Sequence, residues 1–134
     1  MKPRYSRALI IGAGTGLSAS LARRFAREGL SVALAARTTE DIEGLAEETG
    51  ASLHKCDAGD LAQVQALFAE LDEAGAPDVV VYNPSRRSRG PLVELDPEEV
   101  AQAVQVTATG AFFAAQEAAR RMLREGHGAI LLTG

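Results

Sequence analysis

Three glycines at alternate positions, Gly12, Gly14 and Gly16, sit in the stretch IIGAGTGLSAS. Glycines there let backbone approach a ligand closely, and a loop that opens a helix turns its N–H groups toward an anion. Two ligand chemistries suit such a loop. Gly-x-Gly-x-Gly after a strand can hold S-adenosylmethionine in a methyltransferase. Gly-x-x-x-Gly after a strand can hold the pyrophosphate of a nicotinamide dinucleotide. The strict Gly-x-Gly-x-x-Gly fingerprint fails at Leu17. Residues outside the loop separate the readings. An S-adenosylmethionine loop commonly follows an acid, and here Ile10 and Ile11 precede the glycines. It also commonly takes an acid at the end of the second strand for ribose hydroxyls, as an NAD(H) site does. That end is Ala36-Arg37, and arginine suits the 2′-phosphate of NADP(H). Glu40 and Asp41 lie nearby but already in the next helix. A solvated arginine at a helix start is the competing reading of Arg37.

Few other residues offer chemistry. Cys56 is the only cysteine, so there is no intrachain disulfide and no cysteine-rich metal site. His54 and His127 are far apart in sequence and read as surface or strand-end residues. SRRSRG, Ser85 to Gly90, brings three arginines near the expected ligand edge, as a solvated loop or as a contact to an acidic substrate or phosphate. The net charge of −4 speaks against a nucleic-acid binder held by phosphate contacts. No apolar run approaches the roughly 20 residues that span a bilayer, and ALIIG is too short for a signal-peptide core. No membrane partner is expected, and the cytoplasm is the expected location.

These residues need elements to position them, and strand and helix signals alternate along the chain. ALIIG, SVALAA, ASLHKC, DVVVY and AILLT read as short apolar strands. Between the first two, Leu17, Leu21 and Phe25 recur at helical spacing, and Gly29 ends that helix. TTEDIEGLAEETG is a second helix, capped by Thr38 or Thr39 and stopped by Gly50. Asp60 caps a third, with Leu61, Val64, Leu67, Phe68 and Leu71 as its apolar stripe. Asp96, Pro97 and Glu99 give a cap, a proline at the first helical position and a reciprocal acid. One long alanine-rich helix then runs to about Glu125. The order β-α-β-α-β-α-β-α-β predicts an α/β fold with parallel strands, right-handed crossovers and helices on both faces. Residues 1–134 read as a single domain. The chain stops at Gly134, at the end of a strand, which leads us to expect an incomplete domain.

The ordered segments resemble the short-chain dehydrogenase/reductase family from about Ala8 to Gly134. That family shows Gly-x-x-x-Gly-x-Gly after its first strand. Gly12 and Gly16 match the first two glycines, and Ser18 stands at the third. CDAGD resembles the family's Asp after the third strand. YNPS resembles its Asn-Ala-Gly, with Asn83 matching and Pro84 and Ser85 departing. VQVTATGAFFAAQEAARRML resembles the long helix, with Thr107 where the family carries a catalytic-relay Asn. The resemblance implies a Rossmann-like, doubly wound sheet of five strands in the order 3-2-1-4-5. It implies that Thr15 and the backbone at Leu17 contact phosphates, that Asp57 and Ala58 border the adenine, and that Asn83, Pro84 and Ser85 lie along the ribose. The candidate cofactor-binding set is thus Gly12, Gly14, Thr15, Gly16, Leu17, Arg37, Thr38, Asp57, Ala58, Asn83, Pro84 and Ser85.

The expected cofactor is NADP(H), with NAD(H) as the alternative, and the expected activity is hydride transfer between a nicotinamide and a small carbonyl or alcohol. The family's Tyr-x-x-x-Lys is not found. The tyrosines are Tyr5 and Tyr82, and Tyr82 has Arg86 four residues on. No catalytic set is complete, Thr107 being its one weak candidate, so this chain is expected to be inactive alone. A non-catalytic dinucleotide-binding or interaction module is the alternative. The family also commonly self-associates through the long helix. A homo-oligomer through the stretch near Ala108 to Phe113 is expected, with adjacent Phe112 and Phe113 facing different ways.

Overall fold

The computed structural model describes residues 4–84 and 86–133. Five parallel strands form one sheet in the order β3-β2-β1-β4-β5. They are β1 (Arg7–Ile11), β2 (Ser31–Ala36), β3 (Ser52–Lys55), β4 (Val79–Tyr82) and β5 (Ala129–Leu132). Helices α1 (Leu17–Arg27), α2 (Glu43–Thr49) and α3 (Leu61–Asp72) follow the first three strands. After β4 the chain makes α4 (Pro97–Val104), a π-helical turn (Gln105–Thr109) and α5 (Gly110–Glu125). The expected fold class and strand order are both observed.

The central strands are apolar on both faces because both faces are covered. Leu9, Ile11, Ala33, Ala35, Val80 and Tyr82 point to the side packed by Val64, Leu67 and Phe68 of α3 and Ala114, Ala118 and Met122 of α5. Ala8, Ile10, Val32, Leu34, Val79 and Val81 point to the opposite side, toward Ala19 and Ala22 of α1 and Leu45 and Ala46 of α2. Period-two alternation thus divides each strand between two cores.

Helix boundaries follow several expected signals. Asp60 accepts from the Gln63 N–H at 3.1 Å. Gly50 ends α2 and Gly126 ends α5, both in the left-handed conformation. Other details differ. The buried face of α1 is Ser18, Ala19 and Ala22, whereas Leu17 is 54% exposed and Leu21 and Phe25 pack only at the edge. Small side chains let this helix lie close to the sheet, which displaces the larger ones to its rim. Leu61 is likewise outside the buried stripe of α3. Thr39 gives no side-chain cap, and Glu40–Ile42 forms a 3-10 turn before α2. Asp96 caps α4 through the Glu98 N–H at 2.9 Å, with no reciprocal bond from Glu99 among the described residues. The expected single long helix is interrupted by the π turn, which divides α4 from α5.

Candidate functional site

The C-terminal ends of β1 to β4 and the π turn surround one open cleft of about 420 Å³. Strand ends converge there because every strand is parallel, so every strand-to-helix loop emerges on one edge. Gly12, Ala13, Gly14 and Thr15 come from β1, Arg37 and Thr38 from β2, Asp57 and Ala58 from β3, and Asn83 and Pro84 from β4.

The glycine loop has separate jobs for its glycines. Gly12 and Ala13 donate their N–H groups to the Ala35 carbonyl at 2.8 and 3.1 Å, which turns the chain away from the sheet. Gly12 has φ +82°, and a Cβ there would lie 2.6 Å from Pro84 Cα and 2.8 Å from the Asn83 carbonyl carbon. Only glycine allows that backbone approach. At Gly14 and Gly16 the position a Cβ would take is open, with no atom within 4 Å. The N–H groups of Gly14, Thr15, Gly16 and Leu17 find no acceptor among the described residues. Four consecutive donors thus run unpaired from the loop into the first residue of an eleven-residue helix, an arrangement that suits an anion.

Ser18 fills the third glycine position with a buried hydroxyl. It donates to the Gly12 carbonyl at 3.2 Å and accepts from Asn83 Nδ2 at 2.7 Å. Asn83 Oδ1 accepts from Thr133 Oγ1 at 2.5 Å, and its backbone N–H donates to the Ile11 carbonyl at 2.8 Å. Both polar ends of the Asn83 side chain are therefore engaged inside the protein, linking the ends of β1, β4 and β5.

Asp57 is half-buried. Its Oδ1 accepts from the Gly59 N–H at 2.9 Å, and its own N–H donates to Gln63 Oε1 at 2.8 Å. The neighbouring Cys56 thiol is pushed up to about 11, first by burial and then by the Asp57 and Asp60 carboxylates. It is a neutral, unreactive wall of the cleft at pH 7.

The π turn shapes the remaining rim, as such turns often do at functional sites. Gln105 Nε2 donates to the Gly59 carbonyl at 2.9 Å, the Tyr82 hydroxyl donates to the Val106 carbonyl, and Thr107 Oγ1 donates to the Arg86 carbonyl at 3.4 Å. Burial is the main cause that raises the Tyr82 phenol to about 12, with Cys56 and Asp57 adding to it.

Of the expected residues, Gly16 and Leu17 lie just beyond the cleft lining at the start of α1, and Ser85 falls outside the described residues. Thr107 does not line the cleft and is exposed on the π turn. Ala13, Ala36, Asp41, Ile42, Cys56, Arg86 and Val106 also line the cleft and lie outside the candidate set. Asp41 and Ile42 enter on the 3-10 turn, and Val106 enters on the π turn. Neither irregularity has a periodicity to betray it. Phe113 packs toward the α3–α5 core while adjacent Phe112 is 59% exposed, so the two rings do face different ways. Among the described residues no group of three or more His, Cys, Asp or Glu could hold a metal, and no helix is long and apolar enough to cross a membrane.

This fold and cleft define a doubly wound, dinucleotide-type domain. Residues 6–134 match the family described as short chain dehydrogenase, and the chain belongs to that family. It is 34% identical over 131 residues to a probable galactose dehydrogenase of Rhizobium meliloti (strain 1021), covering 92% of this chain and 51% of that protein. A short-chain type dehydrogenase/reductase from Mycobacterium marinum superposes with a TM-score of 0.90 at 32% identity, over 96% of this chain and 55% of the other. A variant of actinorhodin polyketide ketoreductase solved with NADPH superposes with a TM-score of 0.88 at 31% identity, over 96% of this chain and 52% of the other. The chain spans about half the length of the curated relatives it matches. Several of these relatives are named as dehydrogenases or reductases.

Proposed function

We propose that residues 1–134 are the NADP(H)-binding portion of a short-chain oxidoreductase acting on a small carbonyl or alcohol. One observation carries this reading. The four unengaged N–H groups of the glycine loop and the guanidinium of Arg37 open on the same edge of the sheet, beside a cleft bordered by Asp57. The residues present fit the cofactor. Gly14 and Gly16 leave open the space that side chains would fill, and Arg37 is exposed with no ion pair among the described residues. A bound nicotinamide dinucleotide would supply the hydride. The chain's part is to hold it: loop N–H groups at the pyrophosphate, Arg37 and Thr38 at the 2′-phosphate side, Asp57 and Ala58 at the adenine, and Asn83 and Pro84 along the ribose.

Isothermal calorimetry with NADPH and NADH tests the proposal. Binding of NADPH in preference to NADH is expected, and no binding of either by folded protein would refute it. Arg37→Ala should weaken NADPH roughly 10-fold or more, the worth of a charge-assisted hydrogen bond, and leave NADH nearly unchanged. Equal weakening would remove Arg37 from the 2′-phosphate.

A second reading, a non-catalytic dinucleotide-binding module, draws on Thr107 and Tyr82. The Thr107 hydroxyl is directed to a backbone carbonyl, and the Tyr82 phenol, held near 12 and bonded to Val106, is unsuited to proton transfer at neutral pH. On either reading we expect the 134-residue chain to show no turnover. Steady oxidation of NADPH with a panel of aldehydes and ketones would overturn that expectation.

A further inference from the structure

We propose that Arg86 clamps the cofactor's pyrophosphate from the β4 side of the cleft, opposite the glycine loop's own N–H donors. This rests on the dinucleotide reading above and adds a contact that reading does not contain. Of the three arginines in the loop after β4, Arg87 and Arg89 are exposed, while Arg86 is half-buried and lines the cleft. Its guanidinium has no hydrogen-bond or ion-pair partner among the described residues, although the chain holds 18 acidic residues against 14 lysines and arginines. Two carboxylates line the same cleft, Asp41 and Asp57, and neither pairs with it. An arginine that lines a cleft with no acceptor of its own leaves its forked guanidinium donors free for an anion.

Topology selects which anion. β1 lies between β2 and β4, and neighbouring strands are about 4.8 Å apart, so the ends of β2 and β4 are about 10 Å from each other with the glycine loop between them. Arg37 enters from the β2 side, with Asp57 and Ala58 beyond it. Arg86 enters from the β4 side. A dinucleotide whose pyrophosphate sits on the loop, and whose adenosine half runs toward β2 and β3, presents its 2′-phosphate to Arg37. The face of its pyrophosphate turned away from the loop is presented to Arg86. Two contacts lie near the base of the side chain. Pro84 packs onto Gly12, and Thr107 Oγ1 donates to the Arg86 carbonyl.

The two arginines therefore carry different signatures. NADPH and NADH share the pyrophosphate and differ in the 2′-phosphate. Calorimetric titration of the wild type, Arg86→Ala and Arg86→Lys with both cofactors separates the roles. Arg86→Ala should weaken NADPH and NADH by the same factor, roughly 10- to 100-fold for loss of a charge-assisted contact, with partial recovery in Arg86→Lys. The melting temperature without cofactor should not fall, because the guanidinium holds no other part of the chain. Wild-type binding with unchanged affinities in Arg86→Ala would overturn the clamp while leaving the dinucleotide reading intact. Weakening of NADPH alone would also overturn it, by moving Arg86 to the 2′-phosphate. Absence of binding by the wild type would instead sink the dinucleotide reading itself.

Discussion

Gly110→Ala should destabilise the protein, against the sign that helix propensity predicts. Gly110 has ordinary helical angles, φ −62° and ψ −36°, so alanine brings no backbone strain. In an open helix position the change would stabilise by about 1 kcal/mol. Gly110 is not open. A Cβ would overlap the Tyr82 hydroxyl and the Ala58 carbonyl oxygen, with the Ala58 carbonyl carbon 3.1 Å away. Backbone at the end of β3 cannot yield cheaply, so either α5 lifts or the Tyr82 ring moves. Overpacking of this kind costs about 1–3 kcal/mol. Displacing the Tyr82 hydroxyl from the Val106 carbonyl leaves a buried donor unpaired, for about 1–3 kcal/mol more. After subtracting the propensity gain, the net loss is about 3 kcal/mol, within bounds of about 1 and 5. For a chain of this length that lowers the melting temperature by roughly 10 °C. Gly44→Ala is the matched control. Gly44 lies in α2 with no atom within 4 Å of its would-be Cβ, so the same substitution there should be neutral or stabilising. Urea unfolding followed by circular dichroism measures both. If Gly110→Ala is as stable as the wild type, the close approach of α5 to Tyr82 and Ala58 is refuted.

Two further outcomes follow from the shifted groups beside the cleft. Tyr82 and Cys56 are both raised, from 10.0 to about 12 and from 9.0 to about 11, so the unfolded chain ionises first as pH rises. Their contribution to stability is whole below about pH 9 and is lost as pH climbs through 11 and 12, so the urea midpoint should fall over that range. Tyr82→Phe should flatten the upper part of the fall, and a midpoint constant from pH 9 to 12 would contradict both shifts. The Cys56 thiol, 2% exposed, should resist a thiol-specific disulfide reagent at pH 7.5 in the folded protein and react at once in urea. Rapid stoichiometric reaction of the native protein would show that the wall of the cleft opens.

Much of this molecule is legible along the chain. Five apolar runs with intervening helical signals are enough for parallel strands and crossovers, because a strand covered on both faces must be apolar throughout and its connections are right-handed. The cleft's location follows from that topology, and Gly12, Arg37, Asp57 and Asn83 were placeable because each lies at a strand's C-terminal end, the one place where parallel order brings distant residues together. Asp60 and Gly50 could be read as a helix cap and a helix stop because their effects are local, within four residues.

Contacts across the sheet belong to the tertiary structure alone. Leu17, Leu21 and Phe25 made the better apolar stripe, yet the closeness of α1 to the sheet buries Ser18, Ala19 and Ala22 instead. Ser18 stands at the third glycine position, and only the fold shows its hydroxyl joining Gly12 to Asn83, with Thr133 closing the chain of bonds from 50 residues away. The long helix had an unbroken helical pattern, but Tyr82, Gly59 and the Arg86 carbonyl all draw on residues 105–107, where the π turn sits. Arg86 itself was one of three arginines in a polar loop. Local sequence determines which residues reach the edge of a parallel sheet. Which of them turns inward is decided by packing between elements far apart in the chain, where no periodicity records it.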